Sequence, residues 1–193
     1  MAAKRLLSFI IAAFLIVNGV SKVYKGYQHQ RVADYMSSAS GIHQKVQATF
    51  EKFGKKNDEM KKQLAAGDID PKLFEDCEAG LKEAAKVSRE QKEKLAKLTP
   101  PESVARIHEQ TLDFFEKRAK FAEDAIPFYQ TVAEYSALER EIGDGEPTAE
   151  QQAIADEYDA KLSQLTSKMQ EQATEIAEQD ASLGKQIEDL NKD

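Results

Sequence analysis

The chain has 193 residues, of which 27 are basic and 34 acidic, a formal net charge of −7. That length suits one ordinary domain, and the acidic balance argues against a general nucleic-acid binder. A composition 41% apolar and 32% charged, without Trp, fits long amphipathic helices better than a sheet or a disordered tail, and the single Cys77 excludes an internal disulfide and a cysteine-only zinc site.

The first element is an address. Lys4 and Arg5 precede an apolar run from Leu6 to Val20, and the next charge is Lys22. As a helix, residues 6–21 would rise about 24 Å, short of a hydrocarbon core of roughly 30 Å, but Arg5 and Lys22 can snorkel to the two surfaces. Tyr24 and Tyr27 follow at the position of an interfacial belt, and Lys4 and Arg5 favour the cytoplasmic side. The segment reads as a signal anchor contacting the lipid bilayer through residues 6–21. The alternative is a cleaved signal peptide with Val17 and Gly19 at the processing site. Both divide the chain into residues 1–25 and an exported part, 26–193, on the extracytoplasmic side of a cell membrane and expected in the bacterial periplasm. Removing Lys4, Arg5, Lys22 and Lys25 leaves 23 basic against 34 acidic residues in that part.

Four stretches then repeat apolar residues at steps of three and four, the helical period. The first runs from Val32 through Tyr35, Val46, Phe50 and Phe53 to Leu64, and the second from Phe74 through Cys77 and Leu81 to Leu98. The third runs from Val104 to Ile142. The fourth keeps the strictest heptad, including Tyr158, Leu162, Leu165, Met169, Ile176, Leu183 and Ile187, which places Leu165 in a core. Breaks are expected at Gly67 with the Asp70–Pro71 cap, at Thr99–Pro100–Pro101–Glu102 as a capping box, and at Gly143–Pro147, followed by a second box of Thr148 and Gln151.

Short connections make neighbouring helices antiparallel. The expected fold is all-α: an N-terminal membrane helix followed by an up-down-up-down antiparallel four-helix bundle or coiled coil. Residues 26–66 carry seven basic and four acidic side chains, and residues 148–193 four and eleven. The lysines Lys52, Lys55, Lys56, Lys61 and Lys62 should therefore lie near Glu150, Asp156, Glu157 and Asp159. The unequal helix lengths imply that the third and fourth helices project as a two-helix hairpin beyond about Pro127, which should kink the third.

Site chemistry is sparse. His29, His43 and His108 are the only histidines and none follows a Glu by three residues, so the two Glu-x-x-His turns of a di-iron bundle are missing. Each histidine reads as a solvated or hydrogen-bonded side chain. No haem-attachment, phosphate-loop or nucleophile-elbow motif occurs. No catalytic residue, metal ligand or cofactor is assigned, and the acids read as a solvated face. Cys77 reads as a small buried hydrophobe.

The layout resembles that of one-pass or secreted bacterial proteins with a helical exported part. A non-enzymatic interaction or structural component of the cell envelope is the expected function, with an envelope protein as partner and self-association through coiled-coil faces as a further outcome. Phe128, Tyr129, Tyr135 and Tyr158 on the projecting hairpin are the candidate contacts, and its acidic tip favours a basic partner. The tyrosines could instead close the hairpin on itself. The alternative function is a sensor or carrier holding an apolar ligand among Phe50, Phe53, Phe114, Phe115 and Phe121.

Overall fold

The computed structural model describes residues 23–66, 70–143 and 145–190. The expected membrane segment, residues 6–21, lies outside them, as does the Gly67 break. Among the described residues no helix is long and apolar enough to cross a membrane.

Four long helices carry the described chain: α1 (Val23–Ala66), α2 (Lys72–Ala96), α3 (Ala105–Ile142) and α4 (Ala149–Leu190), with one 3-10 turn at Glu102–Val104. No strand occurs among the described residues, as the period of three and four predicts. The arrangement is consistent with a helical bundle.

The helix ends follow from local chemistry. Asp70 Oδ1 accepts the Lys72 amide at 2.9 Å, Pro71 opens the turn without needing a donor, and Glu75 places a negative charge in the first turn of α2. Gly143, with φ of 60°, ends α3 in the left-handed conformation, and its amide returns to the Glu139 carbonyl at 3.0 Å. Thr148 and Gln151 form the reciprocal box that opens α4: the Thr148 amide donates to Gln151 Oε1 at 3.0 Å, and the Gln151 amide to Thr148 Oγ1 at 3.2 Å. The box expected at Thr99 and Glu102 does not form. Pro101 stands at the cap without a side-chain cap bond, and the Val104 amide closes a 3-10 turn onto its carbonyl at 3.0 Å.

The chain divides into two compact units, and each helix contributes one stretch to each. The first unit takes the described residues up to Ala48, Lys86–Ala119 and those from Thr174 on. Its core holds Val46, Leu95, Val104, Phe114 and Phe115, all fully buried, with Leu183 and Ile187 from α4. It also buries polar side chains: Ser88, Gln91 and His108. On its α2–α3 side, Glu116 receives Lys92 at 2.8 Å and Arg89 at 3.8 Å.

The second unit takes Thr49–Ala85 and Lys120–Ala173. Its core is Met60, Phe74, Cys77, Leu81, Ala84, Ala85, Ala122, Ala125 and Tyr129, with Phe50, Phe53 and Met169 packed against it. Alanines at these positions let the helices approach closely. Gly80 of α2 faces Phe53 of α1: a Cβ there would meet the Phe53 ring at 3.4 Å, an ordinary van der Waals contact. Cys77 is fully buried, as its apolar register implies, and burial pushes its thiol pKa up.

The structure departs from the sequence expectation at two places. Of the α1 lysines, Lys56 pairs with Asp76 on α2 at 3.6 Å, and no described ion pair joins that lysine cluster to the acids opening α4. The four-helix packing also runs past Pro127. Tyr129, Val132 and Ala133 all pack on the core of the second unit, so the two-helix section begins later than expected. The reason is register: α1 residues meet α3 residues 72 to 73 positions further on, and α1 continues to Ala66. Carrying that offset forward brings α1 level with α3 to about residue 138. α3 itself continues as one helix through Pro127, whose carbonyl receives the buried Thr131 hydroxyl at 2.8 Å.

Candidate functional site

The four residues expected to meet a partner part company. Tyr129 is 3% exposed, with its ring edge-on to Phe53 and its hydroxyl donating to Asn57 Oδ1 at 2.8 Å. Burial pushes its pKa up, and it belongs to the core. Phe128 is half-buried and edge-on to Tyr129 at 5.3 Å. Tyr135 and Tyr158 are half-buried and face each other between α3 and α4 at 5.9 Å. Burial and the charges of Asp159 and Glu139 raise the Tyr135 pKa.

α4 is the least covered helix. From Ala149 to Ser182 not one side chain is buried: Tyr158, Leu162, Leu165, Met169 and Ile176 are all half-buried, and Ile154 is exposed. Leu165 is therefore not the core residue that its heptad position implied. A heptad stripe shows which side of a helix is apolar, and α4 lacks enough neighbours to cover that side.

Polar rungs also join α3 and α4. In the second unit Asp124 receives Gln172 at 2.6 Å and Lys168 at 3.1 Å, and Glu134 lies 3.9 Å from Lys161. Burial works to raise the Asp124 pKa, but the bonds from Gln172 and Lys168 outweigh it and the value falls. In the first unit the Gln179 amide donates to Asp113 Oδ2 at 2.9 Å and to the Gln110 carbonyl at 3.1 Å. The rungs of the second unit show that α3 and α4 run antiparallel there, since Asp124 meets Lys168 and Gln172 while Glu134 meets Lys161. The rungs of both units are imperfect: the side-chain oxygens of Gln110, Gln172 and Gln179 are buried without a partner among the described residues. Each unmet acceptor costs on the order of 1–3 kcal/mol of desolvation.

The first unit also gathers the polar groups that the sequence left without a role. Tyr35 and His108 Nδ1 are bonded at 2.8 Å inside the core, and burial lifts the Tyr35 pKa to about 12. His43 stacks on Phe114, with ring planes 10° apart, and lies 5.9 Å from the Phe115 ring. The Arg118 guanidinium sits 5.0 Å from the centre of Phe114. Burial, with a further contribution from Arg118, lowers the His43 pKa to about 4, so the ring is neutral near pH 7. Burial also lowers the Arg118 pKa and raises that of Asp180, and each charge partly opposes the other's shift.

The aromatic set imagined as one ligand pocket is divided. Phe114 and Phe115 belong to the first unit, and Phe50, Phe53 and Phe121 to the second. Among the described residues no three His, Cys, Asp or Glu side chains converge where they could hold a metal ion. His43 could have been found from the sequence, since it keeps the apolar register of Met36, Ala39 and Val46. The exposure of α4 carried no such signal. Comparison with family models, with curated proteins and with solved structures finds no match to this chain, so its functional reading rests on these residues.

Proposed function

We propose that the chain is a membrane-tethered, non-enzymatic interaction protein of the cell envelope. In this reading residues 6–21 hold it in the bilayer, and the helices that follow stand outside the cytoplasm. α4 engages a second envelope protein. The observation that carries the proposal is the thirty-four-residue stretch from Ala149 to Ser182, whose apolar stripe is only half-covered and whose rungs leave buried amide oxygens unmet. A partner helix laid beside that stripe would bury area that α3 leaves open.

The chemistry of the surface defines the partner. Residues 148–193 carry eleven acidic and four basic side chains, and Ile154 stands exposed near Glu150 and Glu157. A basic amphipathic segment complements both features. Tyr158 adds an amphipathic ring on the same stripe, and Phe128 and Tyr135 lie half-buried on α3.

Tethering is tested by fractionating cells that make the full chain. It should stay with membranes through an alkaline wash, and residues 26–193 should be cut by protease added outside the cytoplasm. Release of a chain beginning near Val20 into the soluble fraction would replace the anchor with a cleaved signal.

A further inference from the structure

The first unit holds a cavity of about 40 Å³ among α1, α3 and α4. Met36, Ala39, Ile107, Leu183 and Ile187 supply apolar walls, and no Asp, Glu, Lys or Arg lines it. Four polar side chains reach it, and three are already engaged. Tyr35 is bonded to His108 at 2.8 Å, the Ser40 hydroxyl accepts from Gln44 at 3.4 Å, and the Thr111 hydroxyl donates to the Ile107 carbonyl at 2.7 Å. The fourth is His43. Neither of its ring nitrogens has a hydrogen-bond partner among the described residues, while its ring faces Phe114 and Phe115.

A half-buried imidazole without a hydrogen-bond partner on the chain offers a free donor and a free acceptor on the wall of an apolar space. We propose that this cavity binds a short uncharged molecule with one hydroxyl or carbonyl end, which bonds to His43 while its carbons lie among Met36, Ala39, Ile107 and Ile187. The charge state follows from the walls, because no charged side chain lines them to pair with an ion, and Arg118, whose charge is felt at His43, is not among the lining residues. Size follows from volume. One water needs about 10–15 Å³ of such space, so 40 Å³ admits about three or four heavy atoms. The polar end follows from the ring, since a neutral imidazole offers one N–H and one bare nitrogen, which a hydroxyl can meet from either side. Binding does not depend on whether α4 also meets a protein partner.

The test is a titration of the full chain, labelled with ¹⁵N-histidine, with isopropanol and separately with acetate. The expected result is a saturable shift of the His43 ring nitrogens with isopropanol in the millimolar range, at least tenfold weaker with acetate. Ala39→Phe, which fills the cavity, should abolish it. If circular dichroism shows that this variant has lost its helices, Ala39→Leu takes its place and should weaken binding at least several-fold. A shift that does not saturate, equal shifts with acetate, or a response that survives the filled cavity would overturn the proposal. A His43 signal coupled to a bound water and indifferent to isopropanol would likewise leave water as the occupant and overturn it.

Discussion

His43 is the residue whose environment departs furthest from what its type suggests. In the unfolded chain its ring titrates at an ordinary value of 6.5, and in the folded protein at about 4. Between those values the unfolded chain binds more protons. Stability contributed by the neutral ring is therefore fully present above about pH 6.5, is lost as the pH falls toward 4, and changes no further below that. The whole effect is at most about 3 kcal/mol. Asp124, held low, and Asp180, held high, add acid-range terms of opposite sign, but these are shared with a His43→Leu variant. Urea denaturation of both proteins from pH 7 to pH 4 should show the wild type losing stability relative to His43→Leu. Parallel curves would mean that the ring gains solvent access when protonated. The register of His43 was legible in the sequence and its stacking was not, because periodicity names a face and not the side chains across from it. Tyr129 repeats the lesson: its stripe was legible, but its bond to Asn57, seventy-two residues away, was not.

Helix ends were the most legible elements, because caps act over three or four residues. Asp70–Pro71, Gly143 and Thr148–Gln151 work as their local chemistry dictates. Thr99 failed as a cap because two prolines follow it and Pro101 takes the position. α4 was the least legible. Its heptad is the cleanest in the chain, yet its burial is confined to the end, at Leu183 and Ile187, 3% and 6% exposed. Two leucines on the same stripe should therefore differ. Leu183→Ala is expected to cost about 2–5 kcal/mol, the range for a buried leucine, and Leu165→Ala under about 2 kcal/mol. Thermal or urea unfolding checks the contrast. Equal losses would show that α4 is covered along its length and would remove the basis for a partner surface.

For the molecule as a whole, the sequence disclosed helical class, turns and charge asymmetry, all of which are local or additive. It did not disclose the division into two units, which depends on contacts between residues far apart in the chain. The partner proposal stands or falls on α4. A photo-crosslinking residue placed at Ile154 in the full chain, in its native membranes, should form an adduct with one other envelope protein. The same group at Glu83, on the exposed side of α2, should not. That difference is the predicted result. No adduct from Ile154, or the same adducts from both positions, would contradict α4 as an interaction surface, and an adduct of twice the chain mass would make the partner a second copy.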